Sequence, residues 1–297
     1  MTHSLAEFEP VAPTAAQVWG FALVMSAVAA GLVVFLFRRG VISEKRLRRG
    51  RPRPRVFGGV DLVATFLAFA AGVLLSGLLA EAMGLHEHGR VPASRRAWLL
   101  ALLQVVTWMP VVGYLWVKLR ASPIDKRSLG LAPRRLVRQA LAAVAALLLF
   151  APVFFAAGSL STAVGELVRG GPTPVIAHDA LQQLLNARQD AWHFAALLLG
   201  AVVIAPVFEE LAFRGLLQTS LVGVLRGRRW WAIGVTTAIF MLLHLQTEPE
   251  AWLGLALLSL ALGVLYERTG SIWAPIFLHM LFNGLNVVAA VSSGAAG

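Results

Sequence analysis

Residues 192–225 read WHFAALLLGAVVIAPVFEELAFRGLLQTSLVGVL, an apolar run with two adjacent carboxylates, Glu209 and Glu210, and a guanidinium, Arg214, set in its middle. At 1.5 Å per residue, one helix over this stretch would be about 50 Å long, well beyond a hydrocarbon core of about 30 Å. Pro206 lacks a backbone donor and stands just before the carboxylates, so a break is expected there, with PVFEELAFRG (206–215) opening the second half. The rest of the chain decides whether this run lies in a membrane. Of its 297 residues, 58% are hydrophobic and only 14% charged, and its mean hydropathy is +0.73. A soluble domain carries about a quarter charged residues. Here the polar residues are confined to short interludes between apolar runs of the length that spans a bilayer. The expected spans are 16–37, 58–83, 97–118, 138–160, 192–225, 231–246, 251–267 and 271–292. The fold class read from them is all-α, a polytopic membrane bundle of about eight transmembrane helices.

The basic residues orient the bundle. Most of the 26 Lys and Arg fall in the 38–56 and 118–138 connections, with Arg226, Arg228 and Arg229 after the fifth span and Arg268 after the seventh. Positive loops stay inside, which places these on the cytoplasmic face and both termini outside. The Ala, Leu, Gly and Arg bias points to a bacterial inner membrane. A net charge of +11 is accounted for by this asymmetry and by anionic headgroups, and no nucleic-acid partner is expected. The chain has no cysteine, which excludes thiol catalysis, disulfides and Cys-ligated zinc.

Organisation follows the motifs. Residues 1–160 hold transmembrane helices without a recognisable motif. Residues 161–191 form an outer connection with room for an interfacial helix, and 192–297 form the candidate core, its site built by the last four helices. The N-terminal MTHSLAEFEP lacks a basic n-region and a cleavage pattern, so the first apolar run is expected to be retained. The stretch EKRLRRGRPRPR (44–55) reads as a flexible basic loop that sets topology. Asp61 and Glu81, near the two ends of the second span, are expected to be solvated. His86, His88, His178 and His193 are expected at the surface. Trp19, Trp98, Trp230, Trp231 and Trp252 lie at span ends, as interfacial anchors do.

An ionisable side chain at the centre of a membrane helix costs at least about 2.5 to 3.5 kcal/mol, so Glu209, Glu210 and Arg214 need partners or a wet cavity. Glu210 and Arg214 stand one turn apart in the favourable order for an ion pair. Glu209 is left over, about 100° around the helix. Two later apolar segments carry histidines: WWAIGVTTAIFMLLHLQ places His244 a turn beyond Phe240, and SIWAPIFLHMLFNGLN places His279 and Asn283 on one face, continued by Asn286. Either histidine alone reads as a hydrogen-bonded core residue. Together with Glu209 they are the parts for activating a water and stabilising an oxyanion, or for a divalent-metal site.

E-E-x-x-x-R at Glu209, Glu210 and Arg214, F-x-x-x-H at Phe240 and His244, and H-x-x-x-N at His279 and Asn283 resemble, in this order, the three motifs of the CPBP family. These are the CAAX-protease and bacteriocin-processing intramembrane proteases, also called Abi. The resemblance covers roughly residues 190–292. It implies an intramembrane endopeptidase acting on a membrane-associated or lipidated protein or peptide within the bilayer. Glu209 would be the general base, His244 would hold the water, and His279 and Asn283 would stabilise the oxyanion. Glu210, Arg214 and Phe240 would support that geometry. Members are often labelled metalloproteases, yet this chain lacks the H-E-x-x-H pair that makes zinc the default. The favoured expectation is no obligatory cofactor. Zinc held by Glu209, His244 and His279 is the alternative. Two other functions fit the same residues: a non-catalytic scaffold or immunity protein that keeps the fold, and a proton-coupled carrier.

Overall fold

A computed structural model of the chain describes residues 15–48, 57–85, 91–121, 129–133, 135–171 and 179–292. The described residues are helical with no strand: α1 (Ala15–Arg38), α2 (Glu44–Arg48), α3 (Gly59–Ala82), α4 (Ala93–Ala121), α5 (Leu136–Arg169), α6 (Asp179–Asn186), α7 (Ala191–Val224), α8 (Arg229–Leu242), α9 (Pro249–Thr269) and α10 (Trp273–Ser292). Seven of these, α1, α3, α4, α5, α7, α9 and α10, are long and apolar enough to cross a membrane. The remaining expected span, 231–246, appears as α8, whose 14 residues reach only about 21 Å. The architecture is an all-α polytopic helical bundle.

Packing joins the motif-free half to the rest. α1 lies along α5, α3 along α4, and α5 against α9 and α10, while α4 runs beside α7 and α8 beside α9. One apolar cluster ties Trp108, Val111 and Leu115 of α4 to Phe213, Leu216 and Leu217 of α7 and Phe240 of α8. A second joins Ala143 and Ala146 of α5 to Leu258, Ala261 and Leu262 of α9 and to Ala274 and Leu278 of α10. In lipid such contacts gain mostly from close van der Waals packing, which small residues permit. Gly72 is the tightest case: a Cβ there would stand 1.9 Å from the Thr107 carbonyl oxygen. Gly72→Ala is therefore expected to push α3 off α4 and cost about 1 to 3 kcal/mol. Thermal unfolding in detergent reads this directly, and an unchanged midpoint would contradict the contact.

Helix ends follow local chemistry. α5 stops at Gly170 and α9 at Gly270, both with positive φ, the left-handed cap that glycine adopts without strain. Asp190 opens α7 by accepting the amides of Trp192 and His193, the usual work of an N-cap carboxylate. At the other end of the connection, Arg169 of α5 pairs with Glu250 of α9, which sets those two helix ends on one face.

Several expectations are corrected. Span four does not end at 160: α5 runs to Arg169, so among the described residues α6, with Leu184 and Leu185 buried, is the separate helix left in the 161–191 connection. Asp61 is not solvated but 2% exposed. Its carboxylate accepts the Gly58 amide at 2.8 Å and the Tyr114 hydroxyl at 2.7 Å, and pairs with Lys118 at 2.6 Å. The Gly58 amide and these two partners from α4 make its burial tolerable. Glu81 is exposed, as expected, and His193 is partly exposed. His86, His88 and His178 lie outside the described residues. The basic stretch 44–55 is not all loop: its start forms α2, with Leu47 fully buried against Ile233 and Val264. The Glu44 carboxylate accepts the amides of Arg229 and Trp230 at 3.0 and 3.4 Å. It thus caps the donor end of α8 from a distant part of the chain.

Candidate active site

The long helix α7 carries the first three residues of interest, and its backbone is unusual around them. Pro206 does not break it. Residues Gly200–Ile204 and Leu211–Gln218 are π-helical, flanking a six-residue α-helical stretch, Ala205–Glu210. In the first π segment the Ala205 amide bonds Gly200 oxygen, five residues back. The winding is wide here, and the helix continues past Pro206 to Val224. π segments are rare and concentrate at functional sites.

Glu210 and Arg214 form the ion pair that their spacing predicts, at 2.9 Å, both side chains wholly buried. Each has a second partner from another helix. Nη2 of Arg214 donates to the Ser259 hydroxyl at 2.9 Å and to the Ser259 carbonyl at 3.0 Å, and Thr237 of α8 donates to the same hydroxyl at 3.2 Å. Oε1 of Glu210 lies 3.0 Å from Nδ1 of His279. A carboxylate only accepts, so that nitrogen carries the proton and Nε2 is the free end of the ring. Nε2 points to Glu209, 4.0 Å from its Oε2. Glu209, the residue left over in the sequence, therefore faces His279 across a short gap. His244 also lies within electrostatic reach of it.

His244 sits in the turn just past the end of α8 rather than within a helical span. Its amide bonds Met241 oxygen, and its Nδ1 donates to Phe240 oxygen at 2.7 Å, which leaves Nε2 as an acceptor. The Phe240 ring stacks on the imidazole at 4.2 Å between centroids and 23° between planes. Phe240 also meets His279 and Phe213 edge-on and lies under the Arg214 guanidinium at 5.6 Å, so one ring braces three of the polar groups. Asn283 stands one turn beyond His279 on α10. Its Nδ2 donates to the Ala201 carbonyl of α7 at 2.8 Å. Asn286 is exposed.

Four helices thus bring together Glu209, Glu210 and Arg214 (α7), Phe240 and His244 (α8 and its turn), Ser259 (α9), and His279 and Asn283 (α10). Sequence reasoning missed Ser259 and Thr237. It also missed a buried extension toward the other end of α7. There Gln218 donates to Glu267 at 2.8 Å and to Gly263 oxygen at 3.3 Å, and Glu267 pairs with Arg229. The signal was present as two matched periods of four: 210, 214 and 218 on α7 against 259, 263 and 267 on α9. Among the described residues, no three His, Cys, Asp or Glu side chains converge as a metal-binding group. Nδ1 of each site histidine is already engaged by protein oxygen.

Residues 191–285 match the family model described as Type II CAAX prenyl endopeptidase Rce1-like. That match bears out, over this segment, the resemblance read from the three motifs. No curated protein and no solved structure matches the chain.

Proposed function

We propose that the protein is an intramembrane endopeptidase that hydrolyses a peptide bond of a membrane-associated or lipidated protein or peptide. The observation that carries this reading is Glu209. It is a carboxylate inside a membrane helix with no opposite charge bonded to it, facing the free nitrogen of His279 at 4.0 Å, with His244 in reach. A purely structural ion pair would need only Glu210, Arg214 and Ser259. Glu209 and the free ends of two imidazoles are surplus to it.

The roles follow from which atoms are free. Nε2 of His244 accepts one hydrogen of a water, and the Glu209 carboxylate accepts the other and takes that proton as the oxygen attacks the scissile carbonyl. The tetrahedral oxyanion is met by the second N–H of the Asn283 carboxamide and by Nε2–H of His279, a role that requires the ring to hold a proton on each nitrogen. Glu210 holds the far side of that ring. Glu209 then returns its proton to the departing amine, which closes the cycle. A low-dielectric pocket strengthens each hydrogen bond to the developing charge. Arg214, Ser259 and Phe240 keep the donors in place.

Each step above uses protein groups alone. Activity of the purified protein is expected to survive chelation with EDTA. Loss of turnover that zinc restores would replace this mechanism with a metal-bound water. The setting is an integral membrane protein; we place it in a bacterial inner membrane with its basic loops cytoplasmic and both termini outside. The test of the function is a comparison of protein termini in membranes of cells carrying the wild-type chain or Glu209→Gln. New termini that appear only with the wild type are expected. Identical sets of termini would remove the proteolytic reading.

A further inference from the structure

In each π segment of α7 one backbone carbonyl accepts a side-chain donor. In the second segment the amide of Thr219 turns to Leu216 oxygen, while its own hydroxyl donates to the Arg214 carbonyl at 2.8 Å. In the first, the Ala205 amide reaches Gly200 oxygen, so the next bond in that register would run from residue 206 to Ala201 oxygen. Residue 206 is proline and has no N–H. The Ala201 carbonyl is instead taken by Nδ2 of Asn283, 2.8 Å away on α10. An unpaired carbonyl in a membrane interior is costly, which makes this acceptor a strong anchor. The two helices are close enough here that a Cβ on Gly284 would touch Val202 at 3.8 Å. One turn earlier on α10, His279 bonds Glu210 at 3.0 Å. α10 is therefore fixed to α7 on both sides of Glu209.

We propose that Pro206 is a positioning residue: by withholding an amide it reserves the Ala201 carbonyl for Asn283, which locks that carboxamide with one N–H bound and leaves the other for the site. Kinking is not its task, since the helix runs on. The inference rests on the proposed role of Asn283 for its consequence in catalysis, but the lock itself is a matter of structure and is measured separately. Restoring an amide at 206 gives the helix its own donor for Ala201 oxygen and sets the carboxamide loose.

The chain contains only three asparagines, Asn186, Asn283 and Asn286, so selective 15N-asparagine labelling of the full-length protein in detergent micelles gives three carboxamide pairs, assigned by substitution. In the wild type, the bound N–H of Asn283 is expected to exchange with solvent at least about tenfold more slowly than those of exposed Asn286, as a buried hydrogen bond should. In Pro206→Ala this protection is expected to be lost. Thermal unfolding supplies the second arm: Asn283→Ala strands the carbonyl and lowers the midpoint, and adding Pro206→Ala in the same chain recovers most of that loss. An Asn283 signal that keeps its protection in Pro206→Ala, or a double variant no more stable than Asn283→Ala alone, overturns the lock. Should the comparison of termini fail while both arms hold, the endopeptidase reading falls and the lock stands.

Discussion

Glu209→Gln is expected to lower turnover by about 10² to 10⁴-fold, the usual contribution of a positioned general base, and to leave the fold intact. Glutamine keeps the size of the side chain and its ability to accept a hydrogen bond from water, but it cannot hold the proton that the attacking oxygen sheds. The packing has little to lose, because Glu209 approaches His279 only to 4.0 Å, while the ion pair beside it belongs to Glu210. The measurement is single-turnover cleavage of a substrate found in the comparison of termini, alongside thermal unfolding. Turnover within threefold of wild type would shift the base to another group; a collapsed unfolding midpoint would mean that Glu209 supports the structure.

Arg214→Leu is expected to produce the largest loss of stability, about 3 to 5 kcal/mol, as removing one partner of a buried pair leaves an uncompensated charge. Arg214 is wholly buried and its guanidinium bridges Glu210, Ser259 hydroxyl and Ser259 carbonyl, so three contacts across two helices go together. Arg214→Lys is expected to rescue little, because one ammonium on a flexible stem cannot span both directions of the planar fork. The decisive comparison is Glu210→Leu with Arg214→Leu in one chain. If the single variant suffers from a stranded charge, the double variant should unfold at a higher temperature than Arg214→Leu alone. The reverse order would show that lost packing, not electrostatics, dominates. The double variant should still be inactive, since His279 would lose the oxygen that orients its ring.

Much of the ion-pair geometry was readable before any fold. Glu210 and Arg214 at i and i+4 could meet on one helix whatever surrounded them, because that contact is local. The surplus of Glu209 followed from the same arithmetic. Ser259 could not be found in this way: a serine in an apolar run is unremarkable until a guanidinium arrives from 45 positions away. Asp61 was misjudged for a related reason. Its position at a helix start is a local fact, but its burial depends on Tyr114 and Lys118 of the neighbouring helix. Pro206 was expected to break α7 because proline removes a donor. Nothing in the run could show that the helix would continue past it, or that a carboxamide from α10 would take the Ala201 carbonyl.

What the amino-acid sequence determined by itself was the class of solvent, seven of the eight expected long apolar helices and the inventory of ionisable groups inside them. These follow from hydropathy summed over one segment and from the cost of a charge in hydrocarbon, both of which are properties of neighbours along the chain. Only the tertiary structure decided which imidazole nitrogen is free, which carboxylate it faces, that α2 caps α8, and that Asn283 completes the backbone of α7. Each of these is a distance between helices far apart in sequence, set by how whole surfaces pack, and no local pattern encodes it.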